Sequence, residues 1–408
     1  MHCVSVNKIS LDEYTPIVGK VKIEEIKELA ESLVGKKVCH INSTSFGGGV
    51  AEILHRIVPL MCDVGLKAEW TVIEGSDEFF NVTKAFHNGL QGMDIPLTED
   101  MKKTYLKFNE INAREFDSDH DLVVIHDCQP AAMVNCLPNG RGRWTWRCHI
   151  DLSHPNQQFT DFISPFILKY NSLIFTMKQF VQENFESKKT FIIPPSIDPL
   201  SAKNKPLPEN LIFSILDKYD VNPEKPIITQ VSRFDPWKDP LGVIDVYRLV
   251  KKKVANVQLL LIASMAKDDP EGWVYYEKTT RHAAEDYDIH LLSDLNGVGN
   301  IEVNAFQRAS DVILQKSIRE GFGLTVTEAL WKGVPVVGSN VGGILLQIIN
   351  GEVGFLINSI EEAAEKTLYL LKHPSEAKEM GKNGREHILK NFLITRHLKD
   401  YLSLFCSI

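Results

Sequence analysis

Two glutamates separated by seven residues stand in the stretch Arg319-Glu320-Gly321-Phe322-Gly323-Leu324-Thr325-Val326-Thr327-Glu328. Ionised carboxylates accept hydrogen bonds from hydroxyls, so a pair of them around a glycine turn suits a polyhydroxylated ligand. A helix is expected from about Leu324, and the amides of Gly323 and Leu324 at its start have no intrahelical partner. Glu320 falls in the loop before that helix and Glu328 about one turn inside it, so both can point toward one cleft. A solvated helical glutamate is the plain alternative, and the strand–loop–helix setting weighs against it. A second group, Ser232-Arg233-Phe234-Asp235-Pro236-Trp237-Lys238-Asp239-Pro240, sets Arg233 and Lys238 on either side of a turn that proline stiffens. Two cations at the carboxyl end of a strand make a diphosphate clamp; surface salt bridging is the competing explanation.

Three weaker signals come from the first half of the chain. Gly47-Gly48-Gly49 lies between a strand and a helix, where glycine lets a backbone approach an anion or a sugar oxygen closely. It is not the dinucleotide fingerprint, because Val50, Ala51 and Glu52 follow, and no Lys-Ser/Thr makes it a P-loop. A tight turn without function explains it as well. Cys148-His149-Ile150-Asp151 closes another strand, with His149 and Asp151 expected on one side of it, and His126-Asp127 closes a third. A histidine is more often a satisfied structural residue than a catalytic one, but the carboxyl end of a strand raises its claim.

These residues need elements to hold them. Short apolar runs read as strands at Lys37–Asn42, Ala68–Ile73, Leu122–His126, Trp144–Ile150, Ser172–Thr176 and Thr190–Ile193. A second series follows at Pro226–Ser232, Val257–Ser264, Ile289–Ser293, Asp311–Gln315, Pro335–Gly338 and Gly354–Ile357. Helical patterns fill the gaps; in one, Val50, Ile53, Leu54, Ile57, Val58 and Met61 share a face. Unalternating apolar strands suit a parallel sheet covered on both sides, and strand–helix alternation implies doubly wound α/β domains. The proline-rich Pro194–Pro208 reads as a linker. The expected domains are residues 1–195, residues 196–375, and helices over 376–408 that pack back toward the first domain. Two such domains facing each other would leave a cleft at the strand ends, where ligands of these sheets bind.

Composition removes other classes. At about 150 residues per domain, 408 residues allow two or three domains. With 44% hydrophobic and 24% charged residues, the chain is no disordered tail, coiled coil or collagen. A net charge of −8 disfavours general binding to nucleic acid or anionic membranes. No apolar run reaches the roughly 18–20 residues that span a bilayer, and Met1–Tyr14 lacks a signal-peptide layout, so a cytoplasmic protein is expected. Seven scattered cysteines form no Cys-x-x-Cys pair, which argues against a zinc ribbon and for buried thiols in a reducing compartment. No Asp-x-Asp metal motif stands in a strand-end loop, and Asp268-Asp269 is adjacent rather than spaced.

In this order the motifs resemble a known family. Glu320 and Glu328 look like the paired glutamates of retaining glycosyltransferases with the GT-B fold. Ser232-Arg233-Phe234 through Lys238, the stretch Gly333–Gly338 and Val341-Gly342-Gly343 resemble glycosyltransferase family 4 over essentially the whole chain. Leu11–Gly19, Ser45–Glu52 and Val231–Pro240 are similar to a narrower group within it, the trehalose glycosyltransferring synthases. That resemblance implies transfer of glucose from a nucleoside diphosphate glucose, such as ADP-glucose or UDP-glucose, to free glucose, giving α,α-trehalose. It implies that Arg233 and Lys238 hold the donor diphosphate, Glu320 the donor glucose and Glu328 the ribose. The amides of Gly323 and Leu324, beside Thr325, meet sugar or phosphate. The Gly47–Gly48 loop lies against diphosphate or sugar, and His149 touches the donor sugar near its reacting end. The base is placed against the Ser293–Val298 loop, which contains Asn296. A front-face retaining mechanism is favoured, with Asp127 and Asp151 left open as carboxylates of a double displacement. No cofactor is required, magnesium carried with the nucleotide stays compatible, and a homodimer is plausible from the resemblance. Rival readings are a sucrose- or glucan-type acceptor, a nucleotide-sugar epimerase, a NAD-dependent dehydrogenase lacking its fingerprint, and a non-catalytic sugar sensor.

Overall fold

The structure, a computed structural model, describes residues 1–117, 119–136, 142–264 and 271–408. Asp268 and Asp269 lie outside them. The chain forms two compact units: residues 1–196 with 394–408, and residues 197–393.

The first unit is built on β1 (His2–Cys3), β2 (Lys37–Asn42), β3 (Lys67–Val72), β4 (Leu122–His126), β5 (Arg143–Arg147), β6 (Ser172–Phe175) and β7 (Lys189–Ile192). Their order is β1-β3-β2-β4-β5-β6-β7, all parallel except β1. The two-residue β1, antiparallel to β3 with Cys3 opposite Thr71, is too short to leave a sequence pattern. Val38, Cys39, His40 and Ile41 of β2 and all of β4 are buried, as strands covered on both faces must be. The sheet reverses direction of growth between β2 and β4, and ligands of such sheets bind at that reversal.

The second unit holds β8 (Ile227–Arg233), β9 (Gln258–Ser264), β10 (Ile289–Ser293), β11 (Val312–Gln315), β12 (Val336–Ser339) and β13 (Gly354–Ile357), ordered β10-β9-β8-β11-β12-β13 and all parallel. Its apolar residues sort by parity. Leu259 and Leu261 join Ile228, Val312 and Leu314 under the helices Pro240–Lys251 and Ile360–Lys372. Leu260 and Ile262 join Ile227 and Val231 under the helices Glu209–Lys218 and Asn300–Ala309. Each fully buried aliphatic side chain contributes about 1.5–3 kcal/mol, so both faces carry the sheet. The reversal here lies between β8 and β11.

The twelve expected strands are all present, most within a residue at either end. Four expectations change. β5 stops at Arg147 rather than Ile150, so His149 and Asp151 stand in the following loop and do not share a strand face. The strand ends because Asp127, in the left-handed region at φ 61°, turns its carboxylate onto the His149 amide (2.7 Å). The supposed linker is packed structure: Asn304 donates to the carbonyls of Ala202 (2.9 Å) and Lys205 (2.8 Å), and Asn204 is buried. The chain returns to the first unit at Ile394, not at residue 376, because the helix Pro374–Asn391 stays on the second. There Gly381 and Gly384 pack so closely on Gly333 and Leu330 that a Cβ would collide. Finally, Cys3, Cys62, Cys136 and Cys406 are exposed, and only Cys39, Cys128 and Cys148 are buried. Among the described residues no helix is long and apolar enough to cross a membrane.

Candidate active site

In the second unit the strand ends at the β8/β11 reversal bring the two sequence motifs together. Arg233 is the last residue of β8, and Lys238 closes the single turn Pro236–Lys238. Asp235 begins that turn by accepting the Trp237 amide (2.8 Å) and also meets Arg233 (3.3 Å). Lys238 Nζ donates to Glu320 Oε2 at 2.6 Å, with Glu320 only 6% exposed. A pair this sheltered from water interacts strongly but costs desolvation, so it persists only when further hydrogen bonds support it. Ser317 Oγ supplies one at 3.1 Å, and Gln315 Nε2 lies at 3.5 Å. Thr325 donates to Gln315 Oε1 (2.9 Å), which binds the helix start to the same group.

Backbone pieces fix this cluster. Gly323 has φ +84°, a conformation L side chains rarely adopt, and a Cβ there would stand 3.2 Å from Glu320 Cγ. It caps the helix Leu324–Trp331, whose first amides therefore open beside Glu320. Gly343 lets a neighbouring loop press on Gly321 and Phe322, and its amide donates to the Glu320 carbonyl (3.1 Å). Gln230, a buried amide inside β8, donates to the Lys238 carbonyl (3.0 Å) and accepts from the Lys316 amide (3.1 Å), clamping the two loops at a fixed spacing. The ion pair of Lys316 with Asp239 reinforces the clamp.

Glu328 takes different company. It is 1% exposed and faces Lys203 (3.4 Å) and Gln307 (3.4 Å), sharing neither with Glu320. Asn296 follows β10, and its side-chain oxygen accepts from the Ser293 amide (3.2 Å) and hydroxyl (3.3 Å), closing its own turn.

The first unit shows a second cluster at its β2/β4 reversal. Gly47 (φ 74°) and Gly48 (φ 76°) open the helix Gly48–Asp63 after β2. Asp127 and His149 follow β4 and β5. Burial raises the Asp127 carboxyl to about 7, against the opposing pull of the His149 amide and the Arg147 charge. Three imidazoles run in series: His40 Nδ1 to His126 Nε2 at 3.0 Å, and His126 Nδ1 to His149 Nε2 at 2.8 Å. Burial first, and Arg147 among the charges, hold all three below the usual histidine range, His40 at about 3. Asp151 is buried and accepts the Ser153 amide (2.8 Å).

Sequence reasoning did not single out Gln230, Gln315, Ser317, His40 or Arg147. The available signal was a polar residue inside an otherwise apolar buried strand, as in Ile-Ile-Thr-Gln230-Val and Val-Ile-Leu-Gln315. Among the described residues the closest approach to a metal-ligand set is Cys39, Glu69 and His120. Both His120 nitrogens are already engaged, by the Asp117 carbonyl and by Glu69, each at 2.9 Å, and burial holds the Cys39 thiol protonated. The trio therefore reads as a histidine–carboxylate hydrogen bond beside a buried thiol.

Known proteins resemble this chain in sequence and fold. Residues 40–182 match the family described as trehalose synthase, N-terminal domain, and residues 213–387 match glycosyl transferases group 1. The trehalose synthase of Thermococcus litoralis is 59% identical, covering 97% of each chain. That of Pyrococcus horikoshii is 55% identical, covering 99% of this chain and 98% of its own. In fold the chain is similar to the solved α,α-trehalose-phosphate synthase (UDP-forming) of Burkholderia xenovorans, with a TM-score of 0.73, 13% identity, and coverage of 91% of this chain and 100% of that one. With both halves matched and such identity over nearly its full length, the chain belongs to the trehalose synthase family, trehalose-forming glycosyltransferases of the GT-B type.

Proposed function

We propose that this chain transfers glucose from a nucleoside diphosphate glucose to free glucose with retention, forming α,α-trehalose. The observation that carries the proposal is the sheltered Lys238–Glu320 contact beside Arg233, at the reversal point of the second sheet. Arg233 and Lys238 supply positive charge for a departing diphosphate, and Glu320 accepts from hydroxyls of the donor glucose. The amides of Gly323 and Leu324, with Thr325 beside them, meet sugar or phosphate oxygens. Glu328 is assigned the ribose, and the Ser293–Val298 loop with Asn296 the base. From the first unit, the Gly47–Gly48 loop and His149 are assigned to the donor.

In the proposed step the bond from the sugar anomeric carbon to the phosphate oxygen breaks, and the acceptor hydroxyl oxygen bonds to the same face. The acceptor proton passes to the leaving phosphate oxygen. Positioning and fixed charge are then the protein's main contributions. Asp127 supports this route over double displacement: burial raises its carboxyl to about 7, so it is only partly ionised near neutral pH, and one of its oxygens is held by the His149 amide. No resident metal is needed; magnesium carried with the nucleotide is compatible. A homodimer and a cytoplasmic location complete the reading on family resemblance.

The test is incubation with ADP-glucose or UDP-glucose, with and without glucose, followed by carbon-13 NMR. A symmetric non-reducing disaccharide that needs glucose is the expected result. Donor consumed without disaccharide would point to another acceptor or to epimerisation, and an inverted anomer or a trapped glycosyl-enzyme would overturn the front-face route.

A further inference from the structure

The three-imidazole series in the first unit admits few proton arrangements. A contact between two neutral imidazole nitrogens needs one N–H donor and one lone-pair acceptor. Two such contacts in a row leave two neutral patterns. In one, every ring carries its proton on Nε2: His149 donates to His126 and His126 donates to His40. In the other, every proton sits on Nδ1 and the direction reverses.

Arg147 chooses between them. Its Nε–H lies 3.5 Å from His149 Nδ1, and a guanidinium can only donate. The reversed pattern would set N–H against N–H at that contact, so the Nε2–H pattern is selected. The guanidinium is itself held in place: Nη2 donates to the Ile193 carbonyl (3.0 Å) and Nη1 to the Tyr401 hydroxyl (3.2 Å), with the Tyr401 ring 5.4 Å away. Tyr401 belongs to the helix Ile394–Ser407, which explains why the last segment of the chain is needed in the first unit.

The far end of the series is closed. His40 is fully buried, and its Nε2 has no hydrogen-bond partner among the described residues. A proton relayed inward from His149 has nowhere to leave, so the series cannot work as a wire. It can fix a tautomer.

We propose that His126 and His40, aligned by Arg147 and Tyr401, are positioning residues that lock His149 as the neutral Nε2–H tautomer, so that the ring set against the donor sugar stays uncharged and fixed in orientation. The sugar part rests on the function proposed above; the tautomer part does not. Charging of His149 is opposed first by burial, then by Arg147 on β5 and His40 on β2, while the Asp127 carboxyl, raised to about 7, is only partly ionised near neutral pH. His397 and Arg396, on the same terminal helix as Tyr401, add further cationic or cation-prone groups around the cluster.

Nitrogen-15 NMR of the full chain labelled at histidine tests the lock. His149 is expected to show an unprotonated Nδ1 and a protonated Nε2, unchanged between about pH 5 and 8. A protonated Nδ1, or titration in that window, overturns the proposal. His126→Leu removes the acceptor for the His149 proton. It is expected to let His149 exchange between its two neutral tautomers, read as averaged nitrogen-15 shifts, and to lower kcat/KM for the donor about tenfold. His126→Gln offers an oxygen to the same N–H and should recover part of that loss. A folded His126→Leu protein with wild-type nitrogen-15 shifts at His149 and wild-type kcat/KM would overturn the proposal, and if that variant does not fold, the wild-type spectrum decides alone. Absence of any turnover of nucleoside diphosphate glucose by the wild type would sink the proposed function, yet leave the NMR result to judge the lock.

Discussion

The two units place polar clusters at the same topological position and solve the electrostatic problem in opposite ways. Both sheets reverse beside the first strand of their α/β series, β2 in one and β8 in the other, and both clusters sit on the strands flanking that reversal and the loops that leave them. In the second unit the cluster is ionic: Lys238 against Glu320, Lys316 against Asp239, Arg233 against Asp235. In the first it is mostly neutral: three imidazoles in line, and an aspartate pushed toward its acid form around the buried guanidinium of Arg147. The difference teaches what each cluster is suited to meet. On the function proposed above, fixed charges answer a diphosphate, whose own charge replaces water. Neutral donors and acceptors answer hydroxyls, which need direction more than charge.

The largest expected effect breaks the ionic half. Glu320→Gln keeps the shape and removes the charge, leaving Lys238 without its counter-ion. Turnover should fall by roughly tenfold to a thousandfold, the range for loss of one charged contact in a transition state. Steady-state kinetics check this, and wild-type turnover would remove Glu320 from the site.

The next effect separates the units by pH. Four histidines of the first unit, His40, His126, His149 and His397, are held below their ordinary range by burial; among the described residues of the second unit only His290 is. Unfolded histidines take up protons near pH 6.5, whereas these folded ones resist until far lower, His40 to about 3. Their stabilisation is complete above about pH 6.5 and is lost as pH falls toward 3. Asp127 acts with the opposite sign: its folded value of about 7 lies above the unfolded one, so its contribution is complete below about 4 and is lost as pH rises through 7. With four groups against one, acid should loosen the first unit before the second. Hydrogen exchange resolved by segment measures this, and equal loss of protection in both units would contradict it.

The smallest effect sharpens the geometric half. Gly323→Ala forces a side chain into the left-handed region and against Glu320. The expected loss is about 1–2 kcal/mol in urea unfolding, with reduced turnover as Glu320 is displaced. Undiminished stability would mean the turn at Gly323 can relax.

Much of this was legible in the chain itself. Arg233, Lys238, Glu320 and Gly323 were visible because strand, turn and helix signals lie close to them in sequence, and local spacing fixes their neighbourhood. The His40–His126–His149 series was not, although His126 and His149 each stood out at a strand end. Their alignment depends on β2, β4 and β5 lying side by side, which is a matter of strand order. The end of β5 was misplaced for a related reason. Trp-Arg-Cys-His-Ile continues an apolar run, and only Asp127, arriving from the neighbouring loop, takes the His149 amide out of the sheet.

The sequence by itself determined the alternation of strands and helices, the two-domain plan and the residues that could bear charge, because hydrophobic periodicity and turn chemistry act over a few residues. Tertiary structure alone decided which polar groups became partners, that residues 197–208 are packed and not a linker, and that the last helix, from Ile394, belongs to the first unit. Those outcomes depend on residues far apart in the chain: Arg147 and Tyr401 are 254 positions apart, and Lys399 and Glu25 374. Burial then converts each chance of contact into an obligation, since a polar group removed from water must find its partner wherever the fold brings one.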